Sequence, residues 1–83
     1  MSDFIFSFHA QEQMKNRGID ALVISEALRF PLEIVEEDGL EIYHHVFKQD
    51  EREYLLRVFV NSEKIPPVVI TVYKTSKIKK YLP

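Results

Sequence analysis

Apolar positions along the chain recur first at helical spacing and then at strand spacing. Ser7 is a natural N-cap for a helix from Phe8 to Arg17, and Gly18 suits the left-handed position that ends it. Asp20 caps a second predicted helix, Ala21 to Phe30, whose stripe of Val23, Ile24, Ala27, Leu28 and Phe30 follows the 3.6-residue period. Pro31 stops it, because a proline disfavours the helical conformation of the residue before it. From there the pattern alternates. Strands are predicted over Leu32 to Glu37, Leu40 to Lys48, Arg52 to Val60 and Val68 to Lys74. Asp38-Gly39 is a two-residue hairpin signal, Gln49-Asp50-Glu51 a polar turn, and Asn61 to Pro67 a loop. A short extra strand at Phe4 to Phe6 also fits. The last nine residues read as a helical turn or an extended tail.

This order predicts an α+β fold: an N-terminal helical hairpin packed on a four-stranded antiparallel sheet in two layers, as one domain over residues 1–83. Side-chain parity then sorts the strands into two faces. Leu40, Ile42, His44, Val46, Leu56, Val58, Val60, Val68, Ile70 and Val72 are expected beneath the helices. Tyr43, His45, Phe47, Leu55, Arg57, Phe59, Val69, Thr71 and Tyr73 are expected on the other side. The second set is amphipathic, fit for a partner surface or a ligand floor.

Composition narrows the classes of function. The 83 residues include no cysteine, which excludes disulfides, thiolate metal sites and cysteine nucleophiles and suits a reducing cytoplasm. No stretch is apolar and long enough to span a membrane, and the Met1-Ser2-Asp3 start lacks the basic region of a signal peptide. The net charge of −2 argues against a strongly basic nucleic-acid binder. That total is an average of two unlike parts, however. Residues 1–53 carry five basic and twelve acidic side chains, whereas residues 54–83 carry six basic and one acidic. Lys74, Lys77, Lys79 and Lys80 crowd the end, a solvated tail or a patch for phosphates. A core this small also leaves room for a homodimer.

Particular residues carry the chemistry. Arg57, set in the apolar run Leu55-Leu56-Arg57-Val58-Phe59-Val60, needs an acidic or phosphate partner, with Glu41 or Glu53 as the structural candidates. His44 and His45 point to opposite faces of a strand, and His9 is separated from both by the helical hairpin, so the spacing offers no metal site. Two glycines, Gly18 and Gly39, cannot build a phosphate-cradling loop, and no Gly-x-Ser-x-Gly elbow is present; no cofactor is implied. What remains is acid–base chemistry by His, Tyr, Lys and Arg.

Ser7-Phe8-His9-Ala10, then Met14 and Arg17-Gly18-Ile19, with the closing strand Ile70-Thr71-Val72-Tyr73 and the lysines after it, resembles a bacterial family of unknown function, the domain of unknown function 4258. The resemblance spans about residues 5 to 81. Gln13 stands where that family often has arginine, which removes one positive charge from the helix. The family is itself similar to the RelE/ParE and BrnT-type toxins, many of which cleave RNA without a metal. The resemblance implies roles for His9, Arg17, Thr71 and Tyr73, a RelE-like fold, RNA as a partner and a protein antitoxin. Metal-free RNA cleavage needs a base for the 2′-hydroxyl, an acid for the leaving oxygen and cations on the phosphate. His9 or His45 serves proton exchange, Tyr73 holds or donates a proton, and Arg57 or Arg17 meets the phosphate. Tyr43, Thr71, Lys74 and Lys77 are the candidates for substrate binding. His9 and Arg17 are about 12 Å apart along a helix, too far to grip one phosphate together. The alternative is a non-catalytic protein- or nucleic-acid-interaction module on the same fold.

Overall fold

The computed structural model describes residues 4–82, so the reading of Met1-Ser2-Asp3 lies outside the described residues. The chain runs β1 (Ile5–Phe6), α1 (Phe8–Asn16), α2 (Ala21–Arg29), β2 (Glu33–Glu37), β3 (Leu40–Gln49), β4 (Arg52–Asn61), β5 (Val68–Thr75) and α3 (Ile78–Tyr81). The caps follow the sequence. Ser7 Oγ accepts from the Ala10 N–H at 3.0 Å and donates to the Ile70 carbonyl at 2.9 Å, tying the start of α1 to β5. Asp20 Oδ1 accepts from the Leu22 N–H at 2.9 Å. Gly18, with φ of 62°, takes the left-handed turn between the helices. Phe30 has already left the helical region at φ −135° and ψ 62°, as the following proline requires.

The sheet has five strands in the order β1-β5-β4-β3-β2. Its four long strands form the expected antiparallel meander. β1, however, pairs parallel with β5, Ile5 opposite Val68 and Phe6 opposite Val69, so the sheet is mixed rather than four-stranded and antiparallel. Two residues before α1 are enough to reach the free edge of β5, because Ser7 anchors the helix start there.

The predicted faces need correction in β3 and in part of β5. The β3–β4 turn is the two residues Asp50-Glu51, both at positive φ, and Gln49 stands opposite Arg52. A three-residue turn would have kept the even-numbered positions of both strands together. The two-residue turn pairs Tyr43 with Val58, His45 with Leu56 and Phe47 with Tyr54. One residue inverts the side-chain set of a whole strand, because the strand period is two. Tyr43, His45 and Phe47 therefore lie on the helix side, and Leu40, Ile42, His44 and Val46 on the outer side. In β5 the register shifts between Phe59 and Val60, which pair with Thr71 and Val69. That bulge leaves Ile70 as the extra residue and puts Val69 on the core side with Val72.

The core sits between the helices and the inner face. Ala10, Ile19, Ile24, Ala27 and Leu28 pack on Leu56, Val58, Val60, Val69 and Val72, with Met14, Tyr43 and Phe47 at the margin. Burying each large aliphatic side chain contributes about 1.5–3 kcal/mol. Among the described residues no helix is long and apolar enough to cross a membrane.

Candidate functional site

The site is built on the outer face by a row of side chains in register across four strands. Glu33 of β2 stands opposite His44 of β3, His44 opposite Arg57 of β4, and Arg57 opposite Tyr73 of β5. Arg57 Nε donates to His44 Nε2 at 3.1 Å. Because arginine only donates, His44 Nε2 must accept, and its proton sits on Nδ1, which donates to Glu33 Oε2 at 2.9 Å. Arg57 Nη2 donates to Glu37 Oε2 at 3.3 Å. The expected partners Glu41 and Glu53 are therefore not the ones used. Glu41 pairs with Val60 on the other face, and Glu53 is in register with Lys48 at the far end of β4. His44 and Arg57 are 2% and 8% exposed, and no buried side-chain nitrogen or oxygen among the described residues lacks a partner. A cation so deeply set is tolerable only with acceptors such as these two.

Aromatic rings frame the guanidinium. It lies 4.2 Å from the ring centre of Tyr81, in α3, and 5.3 Å from that of Phe59. Tyr81 meets Tyr73 edge to face at 6.5 Å. Arg17, exposed at the end of α1, comes over the β5 edge to place its guanidinium 5.5 Å from the Tyr73 ring. Together Arg17, Arg57, Phe59, Thr71, Tyr73 and Tyr81 line an open groove of about 290 Å³. The Tyr73 hydroxyl is held below the ordinary tyrosine value. Hydrogen bonding from Tyr81 is the largest cause, that from Thr75 the next, and the charges of Lys80 and Arg17 act in the same direction. The groove thus offers two cations and an acidified phenol to an anionic, flat-ringed ligand.

The other candidates lie elsewhere. His9 is exposed in the first turn of α1 and does not line the groove. His45 is on the helix side, with Nε2 3.7 Å from Glu26 Oε1 of α2. Tyr43 packs edge to face on Phe4 at 6.1 Å, and its hydroxyl is raised by burial first and by the charge of Glu41 next. Lys74 Nζ donates to Gln49 Oε1 at 3.0 Å and lies 5.0 Å from the Tyr54 ring, on the face it shares with Leu56. Lys77, exposed, lines a separate hollow with Glu53, Ser76 and Lys79. Arg17, Arg57, Thr71 and Tyr73 are brought together; His9, His45, Tyr43, Lys74 and Lys77 are not. Sequence reading missed His44, Glu37 and Tyr81. The two-residue turn was the available signal for His44, since it alone sets that histidine opposite Arg57. Among the described residues no three His, Asp or Glu side chains gather as metal ligands.

Neither the curated proteins nor the solved structures include a match to this chain. A family model does match, the domain of unknown function DUF4258, over residues 6–74. Its span starts just before Ser7 and ends just after Tyr73, taking in both quoted motifs and the whole row from Glu33 to Tyr73. The chain therefore belongs to the DUF4258 family.

Proposed function

We propose that the protein is a small RelE-like toxin-fold ribonuclease that acts on RNA in the outer-face groove, in the cytoplasm, without a metal. The observation that carries this reading is the in-register pair of Arg57 and Tyr73, with Arg17 on the same tyrosine ring. Arginines hold the phosphate and stabilise the charge that grows on it. Tyr73, as phenolate, takes the proton of a 2′-hydroxyl, whose oxygen attacks the adjacent phosphorus. The bond to the 5′-oxygen breaks, and that oxygen takes a proton from Tyr81. Proton return from Tyr73 to Tyr81 restores the pair, leaving a 2′,3′-cyclic phosphate and a 5′-hydroxyl. A protein antitoxin and a homodimer belong to the same reading.

The second reading is a non-catalytic module that binds RNA or protein in this groove. It is favoured by the positions of His9 and His45, which leave the groove without a histidine free to exchange protons. Incubation of the protein with RNA in EDTA separates the two. Cleavage with cyclic phosphate ends, reduced at least 100-fold in Tyr73→Phe and Arg17→Ala at unchanged Tm, supports the enzyme. Binding without cleavage supports the module, and loss of neither function in those variants removes the groove from both readings.

A further inference from the structure

β2 is the outermost strand on its side of the sheet, so one backbone edge pairs with β3 and the other faces outward. The two-residue turn closes the β2–β3 hairpin with Glu37 opposite Leu40. Hydrogen-bonded and non-bonded pairs alternate from that closing pair. The residues that aim their N–H and C=O at the open edge are therefore Ile34 and Glu36. Beside this edge Phe30, Leu32 and Ile34 are 69%, 63% and 47% exposed, three large apolar side chains at alternate positions of one short connection. Isolated exposed apolar residues are ordinary, but here Phe30 and Leu32 lead into an unpaired strand that carries Ile34, and an unpaired strand is a template for another strand.

The charge carried by β2 and its hairpin turn is of one sign, with Arg29, over the Phe30 ring at 5.4 Å, the cation at the entry to the strand. Glu33, Glu36, Glu37 and Asp38 follow one another around Ile34 and Val35, and Glu41 stands directly opposite Glu36 on the same face. Glu33 and Glu37 are committed to His44 and Arg57. Among the described residues Glu36 and Glu41 form no ion pair, so two carboxylates oppose each other across the ladder.

We infer that the open edge of β2 receives an extended, basic segment of another protein as an added strand. The segment carries an apolar residue beside Ile34 and a lysine or arginine beside Glu36, two positions apart and so on the same face. Main-chain bonds at Ile34 and Glu36 supply affinity, and the cation relieves the Glu36–Glu41 repulsion. Charge selects this occupant. The same acids repel a nucleic-acid strand, and a second copy docked β2 to β2 would set two glutamate-rich strands side by side. This edge is distinct from the groove, and the inference does not rest on RNA as the ligand there.

The test is a titration of the full chain with a fluorescent, alternating lysine–valine peptide, with the alternating glutamate–valine peptide as its control. Expected are binding of the basic peptide alone, weakening with salt, and slowed amide exchange at Ile34 and Glu36. Glu36→Lys should weaken binding at least tenfold without lowering the thermal midpoint, because it turns the Glu36–Glu41 opposition into an opposite-charge pair. Ile34→Pro, which removes an outward donor and spares the β3 ladder, should weaken binding by as much with the fold retained by circular dichroism. Failure of the basic peptide to bind overturns the inference, as does equal binding of the acidic peptide or protection confined to other residues. Concentration-dependent dimerisation that protects Ile34 and Glu36 without peptide would assign the edge to a second copy and overturn it too.

Discussion

Replacing His44 with leucine should cost the fold about 2–3 kcal/mol, and most of that cost should vanish when Arg57 is removed as well. Arg57 is 8% exposed, so water cannot readily replace the acceptor that His44 Nε2 provides at 3.1 Å. A buried donor on a charged group left without its partner costs roughly 1–3 kcal/mol. The loss of the His44–Glu33 bond adds less, because the Glu33 side chain is 42% exposed and rehydrates. In Arg57→Met the loss falls on His44 Nε2, now without a donor, and on the contact with Tyr81 at 4.2 Å, worth about 0.5–2 kcal/mol. The double variant leaves neither a buried cation nor a buried imidazole, and Glu33 and Glu37 both reach water. Its cost should fall below the sum of the two single costs by about 1–2 kcal/mol. For an 83-residue domain with total stability of about 4–12 kcal/mol, the single loss is large, and each kcal/mol shifts Tm by roughly 4–8 °C. Urea unfolding followed by circular dichroism, with an unchanged denaturant slope across the four proteins, gives the cycle. Single costs that add to within about 0.3–0.5 kcal/mol would refute the coupling, and with it the view that His44 exists to hold the arginine.

Three further outcomes follow from other parts of the chain. Ser7→Ala removes both the α1 cap and the bond to the Ile70 carbonyl, so it should destabilise by about 1–2 kcal/mol in thermal melts, with the earliest amide exchange at β1 and α1. Gly39→Val should cost about 1–2 kcal/mol in urea through backbone conformation alone, since φ is 79° and nothing within 4 Å would meet an added Cβ. Tyr73→Phe should delete the first-titrating component of the phenolate absorbance and leave the late component from Tyr43. The two tyrosines have opposite linkage. The depressed Tyr73 hydroxyl lends stability as pH rises through its folded value, whereas the raised Tyr43 hydroxyl lends stability below the ordinary value and loses it as pH rises through its folded one.

Local chemistry alone determined the kinds of element and most of their ends. Ser7, Asp20, Gly18 and Pro31 set the helical hairpin because capping and proline sterics act over a few residues, and Asp38-Gly39 set the first β-turn for the same reason. Arg57 stood out in sequence because a charge in an apolar run requires partners wherever it lies. Which partners was a tertiary matter. The β3–β4 turn of two residues rather than three decided that His44, not His45, shares a face with Arg57, and the β5 bulge decided that Val69 joins Val72 in the core. Neither follows from alternation within one strand, since parity gives two sets and says nothing of which set in the next strand they meet. Tyr81 was beyond reach for a related reason. It is distant in sequence from Arg57, and only the turn of the chain after Thr75 lays its ring over the guanidinium. Periodicity made the strands, and pairing register made the site.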